Sequence, residues 1–239
     1  MTIQYDGSDF HGWQVQAEGR TIQGDIETAL SIIYPKEEIT LFGSGRTDAG
    51  VHALSQIAHV ELPARLSAFE LCQALNGNLE REIRIDSVEE ADNDFHARFS
   101  AKAREYEYHL VKKYSPITRN HAAELKWNIN IDLLNECAKI LKGKHDFTFF
   151  CKATAEVENK TCHVHEAKWE NKEKKHVFTI RANRFLQHMV RYIVGTTLEV
   201  ARGRYEVMDF KDILNGKKTK AKIVRAPAKG LFLKKVYYD

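Results

Sequence analysis

Two hydrophobic periodicities alternate along the first hundred residues, and their order constrains the fold more than any other feature of the sequence. A period of two predicts β-strands, and a period of 3.6 predicts α-helices that bury one face, as at Ile22, Ile26 and Leu30. The predicted elements are a strand at Thr2–Tyr5, a helix over 21–34, strands at 39–42 and 52–62, a helix over 68–77 and a strand at 82–88. The order is therefore β-α-β-β-α-β, that of a ferredoxin-like unit.

Polar residues and glycines support the predicted helix boundaries. Ser67 and Glu70 are spaced as a capping box, in which each side chain accepts a bond from the other residue's backbone N–H, so a helix is predicted to begin at Ala68. In the second half, Asp132 is predicted as the N-cap of a helix that Gly143 ends.

The second half repeats this order with longer elements. Its predicted elements are a strand at 104–112, a helix over 132–142, strands at 163–169 and 176–182, a helix over 186–201, a short helix over 207–214 and a strand at 230–238. Two βαββαβ units predict an α+β protein with an N-terminal domain at 1–100 and a C-terminal domain at 101–239. RNA-recognition modules share this architecture, although a fold alone does not define a function.

Charge is divided unequally between these halves. Residues 1–100 carry 7 Lys or Arg against 17 Asp or Glu, whereas residues 101–239 carry 29 against 16. The stretch 215–235 has eight basic residues and no acidic one. This asymmetry is typical of a protein that binds a polyanion through its C-terminal half, and it is equally compatible with a solvated lysine-rich surface.

Composition excludes several classes of protein. Apolar residues make up 43% and charged residues 29%, as in ordinary globular proteins, which excludes disordered and collagen-like chains. No apolar run approaches the roughly 20 residues of a membrane span, and no signal peptide is predicted at the N-terminus. The four cysteines form no CxxC pair, so they are predicted to be reduced thiols of a cytoplasmic protein.

The segment 43–50 has the residues most suggestive of chemistry. Its three glycines indicate a tight loop, with Asp48 at the crest two residues after Arg46. A P-loop is excluded because it needs Gly-Lys-Ser/Thr, and a dinucleotide loop is excluded because a strand rather than a helix follows. Asp48 is therefore either a turn former that bonds its own backbone or a catalytic carboxylate.

The string GSGRTDAGVHA at 43–53 resembles the characteristic motif of the tRNA pseudouridine synthase A family, and further blocks agree with that family in order and spacing. They are YDG at 5–7, HGWQ at 11–14, AREYEY at 103–108, FLQHMVRYIVG at 185–195 and GLFL at 230–233. The resemblance covers nearly the whole chain. It implies the pseudouridine synthase fold, in which the two units share a mixed, mainly antiparallel sheet with the active-site cleft between them.

The resemblance also implies an activity. The chain is expected to be a tRNA pseudouridine synthase, an isomerase acting on uridines 38, 39 and 40 of the anticodon stem-loop, in a cytoplasmic homodimer whose tRNA contacts both subunits. The reaction breaks the C1′–N1 bond, rotates the uracil and rejoins it through C5. Asp48 matches the family's catalytic aspartate, which acts by covalent attack or by promoting bond cleavage. Arg191 matches the arginine that pairs with it and stabilises its charged form among apolar groups.

Four further residues receive roles from the same resemblance. Tyr106 matches the tyrosine that packs on the target base and helps to remove the C5 proton, and Arg46 matches the arginine that enters the space left by the flipped nucleotide. Arg104 is assigned to substrate binding, and Leu233, in preference to Leu231, to the uracil pocket. Without the motifs, Tyr106 would be an ordinary strand aromatic, and both leucines would be core residues.

No metal or organic cofactor is expected. His163 and His165 follow Cys162 and Cys151, but no acidic or CxxC companion has the spacing of a zinc ligand set, and the family reaction needs no cofactor. Two other hypotheses stay open. One is a non-catalytic RNA-binding protein on the same duplicated fold, and the weaker one is a nucleotide-phosphate binder that uses the glycine loop.

Overall fold

The computed structural model of the chain describes residues 1–152 and 158–239. Its strands and α-helices are, in chain order, β1 (Thr2–Tyr5), α1 (Ile22–Ile33), β2 (Phe42–Gly43), β3 (His52–His59), α2 (Ala68–Asn78), β4 (Ile83–Ser87), β5 (Ala103–Val111), β6 (Ala123–Glu124), α3 (Ile131–Leu141), β7 (Gly143–Asp146), β8 (Thr161–Lys172), β9 (Lys175–Ala182), α4 (Met189–Ala201), α5 (Val207–Leu214) and β10 (Leu231–Tyr237). Contacts divide the chain into a first unit, Met1–Lys102 with Phe232–Asp239, and a second unit, Ala103–Leu231.

The first unit contains a mixed sheet in which β1 lies between β4 and β3, antiparallel to both. The other edge of β3 is divided between two strands. β2 pairs antiparallel with Ala58 and His59, and β10 pairs parallel with His52 and Ala53. β2 has only two residues, whereas the sequence predicts four at 39–42, because in this register residues 39–41 would face 60–62, beyond the end of β3 at His59. The order β4-β1-β3-β2 is that of the predicted ferredoxin-like unit.

Both helices of the first unit begin at a side chain that caps them. The Thr21 side chain accepts a hydrogen bond from the Gly24 amide at the start of α1. Ser67 and Glu70 form the predicted capping box at the start of α2, and this prediction is confirmed. The core of the unit consists of apolar side chains at most 3% exposed from the helices and strands, including Ile3, Ile22, Ile26, Leu30, Leu75, Ile83 and Ile85.

The second unit contains the antiparallel order β5-β9-β8-β7, with β6 parallel to β5. The sequence does not predict β6 or β7, which have two and four residues. It also predicts Asp132 as the N-cap of α3, which is wrong. Asn130 is the cap, since its side chain accepts bonds from the amides of Asp132 and Leu133, and Asp132 lies in the first turn.

The last strand differs from its predicted place in the chain's organisation. The domain limits predicted from the sequence place 230–238 with the C-terminal half, whereas β10 pairs with β3 and its residues from Phe232 onwards belong to the first unit. The α+β class and the mixed, mainly antiparallel pairing are confirmed in both units. Among the described residues, none of the helices is both long and apolar enough to cross a bilayer.

Candidate active site

The glycine-rich loop that precedes β3 is held by buried polar side chains. The Ser44 hydroxyl donates to Oε1 of Gln56 at 2.6 Å, and the Gln56 amide nitrogen donates to the Gly45 carbonyl at 2.9 Å. Further along the loop, the hydroxyls of Thr47 and Tyr5 lie 2.8 Å apart. Ser44, Gln56, Thr47 and Tyr5 are all at most 7% exposed, so these bonds form away from water and fix both halves of the loop to the sheet.

A second loop, at residues 6–14, packs directly on the first. The Trp13 amide donates to the Thr47 carbonyl at 3.1 Å, and the Gly50 amide donates to the Phe10 carbonyl at 3.3 Å. Gly12 has a φ of +95°, and a Cβ there would lie 2.6 Å from the Thr47 carbonyl oxygen. Only glycine allows this backbone conformation together with so close an approach, which explains the glycine of the HGWQ block.

Buried and outward-facing residues alternate along the anchored loop. Ser44 and Thr47 are buried, whereas Arg46 is exposed and Asp48 is half-buried. The Val51 amide donates to the Asp48 carbonyl at 3.1 Å, which closes the turn just after the aspartate. The loop therefore presents one carboxylate and one guanidinium from a rigid support, as preorganised chemistry requires.

β3 and β10 continue the first unit's part of the candidate site. The His52 ring, 1% exposed, stacks on Phe232 with centroids 4.6 Å apart, and its Nδ1 lies 3.1 Å from both Oδ1 of Asp6 and the Gly7 nitrogen. The next residue of β10, Leu233, pairs with Ala53 and is 1% exposed. Leu233 is thus buried in this unit, opposite the β3 residue that follows Asp48 by five positions.

Tyr106 and Arg104 lie in the second unit, on the same face of β5. The Tyr106 ring meets the edge of Phe185 with centroids 5.0 Å apart and an interplanar angle of 81°. Nη1 of Arg104 donates to the Asn183 carbonyl at 3.2 Å. Both residues are half-buried, and both contact the segment between β9 and α4, which positions them relative to the start of that helix.

Arg191 is the third residue of α4, a helix that follows a residue in the left-handed region, His188, with a φ of 66°. Its Nε donates to the Ala226 carbonyl at 2.9 Å, and the Ala226 amide donates to the Arg191 carbonyl at 3.0 Å. The backbone at residue 226 therefore sets the plane of the guanidinium. Three of the predicted site residues lie in the first unit and three in the second.

Tyr108 lies on the same face of β5 and carries no role in the sequence-based assignment. Its hydroxyl donates to the Pro227 carbonyl at 2.8 Å, and its side chain is fully buried. Burial raises the pKa of Tyr108 well above its usual range, and the positive charge of Arg191 acts against this rise. Tyr5, Gly12 and Tyr108 all fall within the family-like blocks, so position in a block was the signal that could have identified them.

The His163 and His165 rings lie 4.6 Å apart, beside buried Cys162. Burial raises the pKa of both Cys151 and Cys162, which disfavours the thiolate form that binds metals. All four cysteines are free.

Comparison with known proteins identifies the family. The family model described as tRNA pseudouridine synthase matches residues 1–100 and 137–239. The tRNA pseudouridine synthase A of Bacillus pumilus is 38% identical over 241 residues, covering 100% of this chain and 98% of the relative. The corresponding protein of Bacillus subtilis is 39% identical, with the same coverage of both chains. That of Brachyspira hyodysenteriae is 40% identical and covers 100% of this chain and 97% of the relative. The chain belongs to the tRNA pseudouridine synthase family.

Proposed function

We propose that this chain isomerises uridine to pseudouridine at positions 38, 39 and 40 of the tRNA anticodon stem-loop. The observation that carries the proposal is the full-length similarity to relatives named tRNA pseudouridine synthase A, joined to an anchored loop that presents the motif aspartate. The reaction breaks the C1′–N1 bond and forms a C1′–C5 bond. The proton lost from C5 is balanced by one gained at N1, so atoms and charge balance without a co-reactant.

Asp48 is the proposed catalytic carboxylate. Its loop is fixed at Ser44 and Thr47, so the carboxylate does not have to be ordered when the substrate binds. Arg191 is proposed to act with it as the stabilising cation, and the bond from its Nε to the Ala226 carbonyl holds the guanidinium in one orientation. Their roles require a target uridine turned out of the RNA stack, because the glycosidic bond is otherwise inaccessible.

The remaining residues are proposed to hold the substrate. Arg46, exposed on the loop, fills the space left by the flipped nucleotide. Tyr106 packs on the uracil and helps to remove the C5 proton, with its ring held at the edge by Phe185. Arg104 contacts the RNA, and Leu233 closes the apolar side of the uracil pocket.

The two halves of the chain are proposed to have different functions, catalysis and tRNA binding. The acidic half, 1–100, carries the Asp48 loop, and the basic half, 101–239, binds the tRNA phosphates. We also propose a cytoplasmic homodimer with one tRNA contacting both subunits. Sedimentation of the protein with and without tRNA tests the dimer.

Tritium release from tRNA that carries 5-tritiated uridine tests the activity directly, because C5 loses its hydrogen only when the base is rejoined through that carbon. The wild type is expected to release tritium without added metal or nucleotide. Asp48→Asn is expected to bind tRNA and fold normally but to lower release by at least about 10³-fold. Asp86→Asn, which removes an exposed carboxylate on β4, is the matched control and should retain full release. Tight tRNA binding without release by the wild type would instead establish a non-catalytic RNA-binding protein.

A further inference from the structure

The orientation of Arg191 depends on a backbone segment with no regular secondary structure. Nε of Arg191 donates to the Ala226 carbonyl, so the direction of that carbonyl decides where the rest of the guanidinium points. A planar guanidinium held through Nε has little freedom to rotate. The carbonyl at residue 226 must itself be held in place for this constraint to be effective.

Tyr108 holds the adjoining carbonyl. Its hydroxyl donates to the carbonyl of Pro227 at 2.8 Å. Between the carbonyls of residues 226 and 227 lie only the φ and ψ of Pro227, and the proline ring restricts that φ, here −55°. A constraint on the second carbonyl is therefore transmitted to the first through a stiff link.

The tyrosine ring is itself fixed. A Cβ at Gly230 would lie 2.7 Å from Cζ of Tyr108, so the ring packs directly on the glycine backbone. A tyrosine hydroxyl is protonated at neutral pH even at its usual pKa, so it donates to the carbonyl, as the 2.8 Å bond shows. The ring packs too closely to move without displacing that backbone, so it does not follow a shift of residues 226 and 227.

The other side of the segment lies on α4. The Val224 amide donates to Oγ1 of Thr196 at 3.2 Å, and a Cβ at Gly195 would lie 2.2 Å from the Val224 carbonyl oxygen. Glycine at 195 thus permits the segment to approach the helix that bears Arg191. The segment is held at Val224 by the helix and at Pro227 by Tyr108, with the carbonyl that binds Arg191 between these two points.

We infer that Tyr108 is a positioning residue for Arg191, acting through the carbonyls of Pro227 and Ala226. The inference builds on the proposed function, which makes Arg191 part of the reaction. The two tyrosines of the AREYEY block therefore have different roles, since Tyr106 contacts the substrate and Tyr108 positions Arg191. Tyr108 needs no contact with the RNA for this role.

A double-mutant cycle with Tyr108→Phe and Arg191→Lys tests the inference, using single-turnover tritium release and tRNA affinity as separate readouts. Tyr108→Phe keeps the ring and removes only the hydroxyl. It should lower the single-turnover rate by about 10-fold or more, because small displacements of reacting groups have large effects, and leave the Kd for tRNA within about 2-fold. Arg191→Lys keeps the charge but lacks Nε, so adding Tyr108→Phe should change its rate by less than about 2-fold.

The control variant is Tyr238→Phe, which removes another tyrosine-to-carbonyl bond of 2.8 Å, to Ala97 in the first unit. It should keep the wild-type rate. Equal rate losses from Tyr108→Phe in both backgrounds would overturn the inference, because a merely structural role is additive. The inference would also be wrong if Tyr108→Phe alone had the wild-type rate. A wild type that releases no tritium overturns the proposed function and the inference together, whereas full activity of Arg191→Lys contradicts the role of the arginine.

Discussion

The hydroxyls of Tyr5 and Thr47 lie 2.8 Å apart in the buried interior of the first unit, and this contact joins the first strand to the loop that carries Asp48. Removing either hydroxyl deletes this buried hydrogen bond. Tyr5→Phe and Thr47→Val are each expected to lower the free energy of unfolding by about 1–2 kcal/mol, measured by urea denaturation.

The double variant distinguishes this contact from general packing effects. Each single variant loses the same hydrogen bond, and the double variant loses it only once, so the combined loss should be smaller than the sum of the two single losses. Strict additivity would show that the two hydroxyls do not interact in solution.

Gly12→Ala is predicted to disturb the same loop from the other side. A methyl group there would lie 2.6 Å from the Thr47 carbonyl oxygen, on a backbone with a φ of +95°. We expect a loss of about 1–3 kcal/mol in unfolding free energy, together with slower pseudouridine formation because the Asp48 loop must shift. Gly77→Ala is the control, since a Cβ at this position in α2 meets nothing and should be neutral or stabilising by up to about 1 kcal/mol.

The elements that the sequence predicts well are those whose signals are local. The limits of α5 are those of the predicted helix over 207–214, since buried Phe210, Ile213 and Leu214 recur at helical spacing. The N-cap of α3 differs because Asn130 and Asp132 are both good capping residues two positions apart. Only the backbone conformation of Asn130, extended with ψ of 112°, distinguishes them.

Features that depend on residues far apart in the sequence could not be predicted from local signals. β10 is recognisable as a strand, but its pairing with β3 brings together residues about 180 positions apart, and no local pattern specifies that partner. The site follows the same division. Asp48 is a candidate because of the contiguous motif at 43–53, whereas the bond from Tyr5 to Thr47 in its loop and the bond from Tyr108 to Pro227 join positions that are 42 and 119 residues apart.

Stability is predicted to fall below neutral pH because of His59. Its Nδ1 accepts a hydrogen bond from the Ala97 amide at 3.2 Å. Burial, with a smaller effect from the charge of His96, lowers the pKa of His59, while Glu61 acts in the opposite direction and the N-terminal amine adds to the lowering. The unfolded chain therefore binds more protons than the folded one just below pH 6.5.

The expected result is a free energy of unfolding that is highest above about pH 6.5 and decreases as the pH falls towards the lowered pKa of the folded state. Urea denaturation between pH 7.5 and 5 measures this slope. His59→Asn keeps an acceptor near the Ala97 amide but does not titrate, so its slope should be shallower. An unchanged slope in this variant would assign the pH dependence to other histidines.

The exposed lysines of the segment between α5 and β10 are predicted to contact tRNA phosphates. Lys218, Lys220 and Lys222 are exposed in a stretch that contains no acidic residue. Each phosphate contact releases condensed counterions, which contributes about 0.7–0.9 to the slope of log affinity against log salt concentration. Changing all three lysines to glutamine should therefore weaken binding at low salt and reduce the slope by about 2, while the single-turnover rate at saturating protein changes little.

The control is Lys36→Gln with Arg81→Gln and Arg84→Gln, three exposed cations of the acidic first unit, which should leave the slope unchanged. Equal effects from the two triple variants would mean that affinity follows net charge rather than the basic segment.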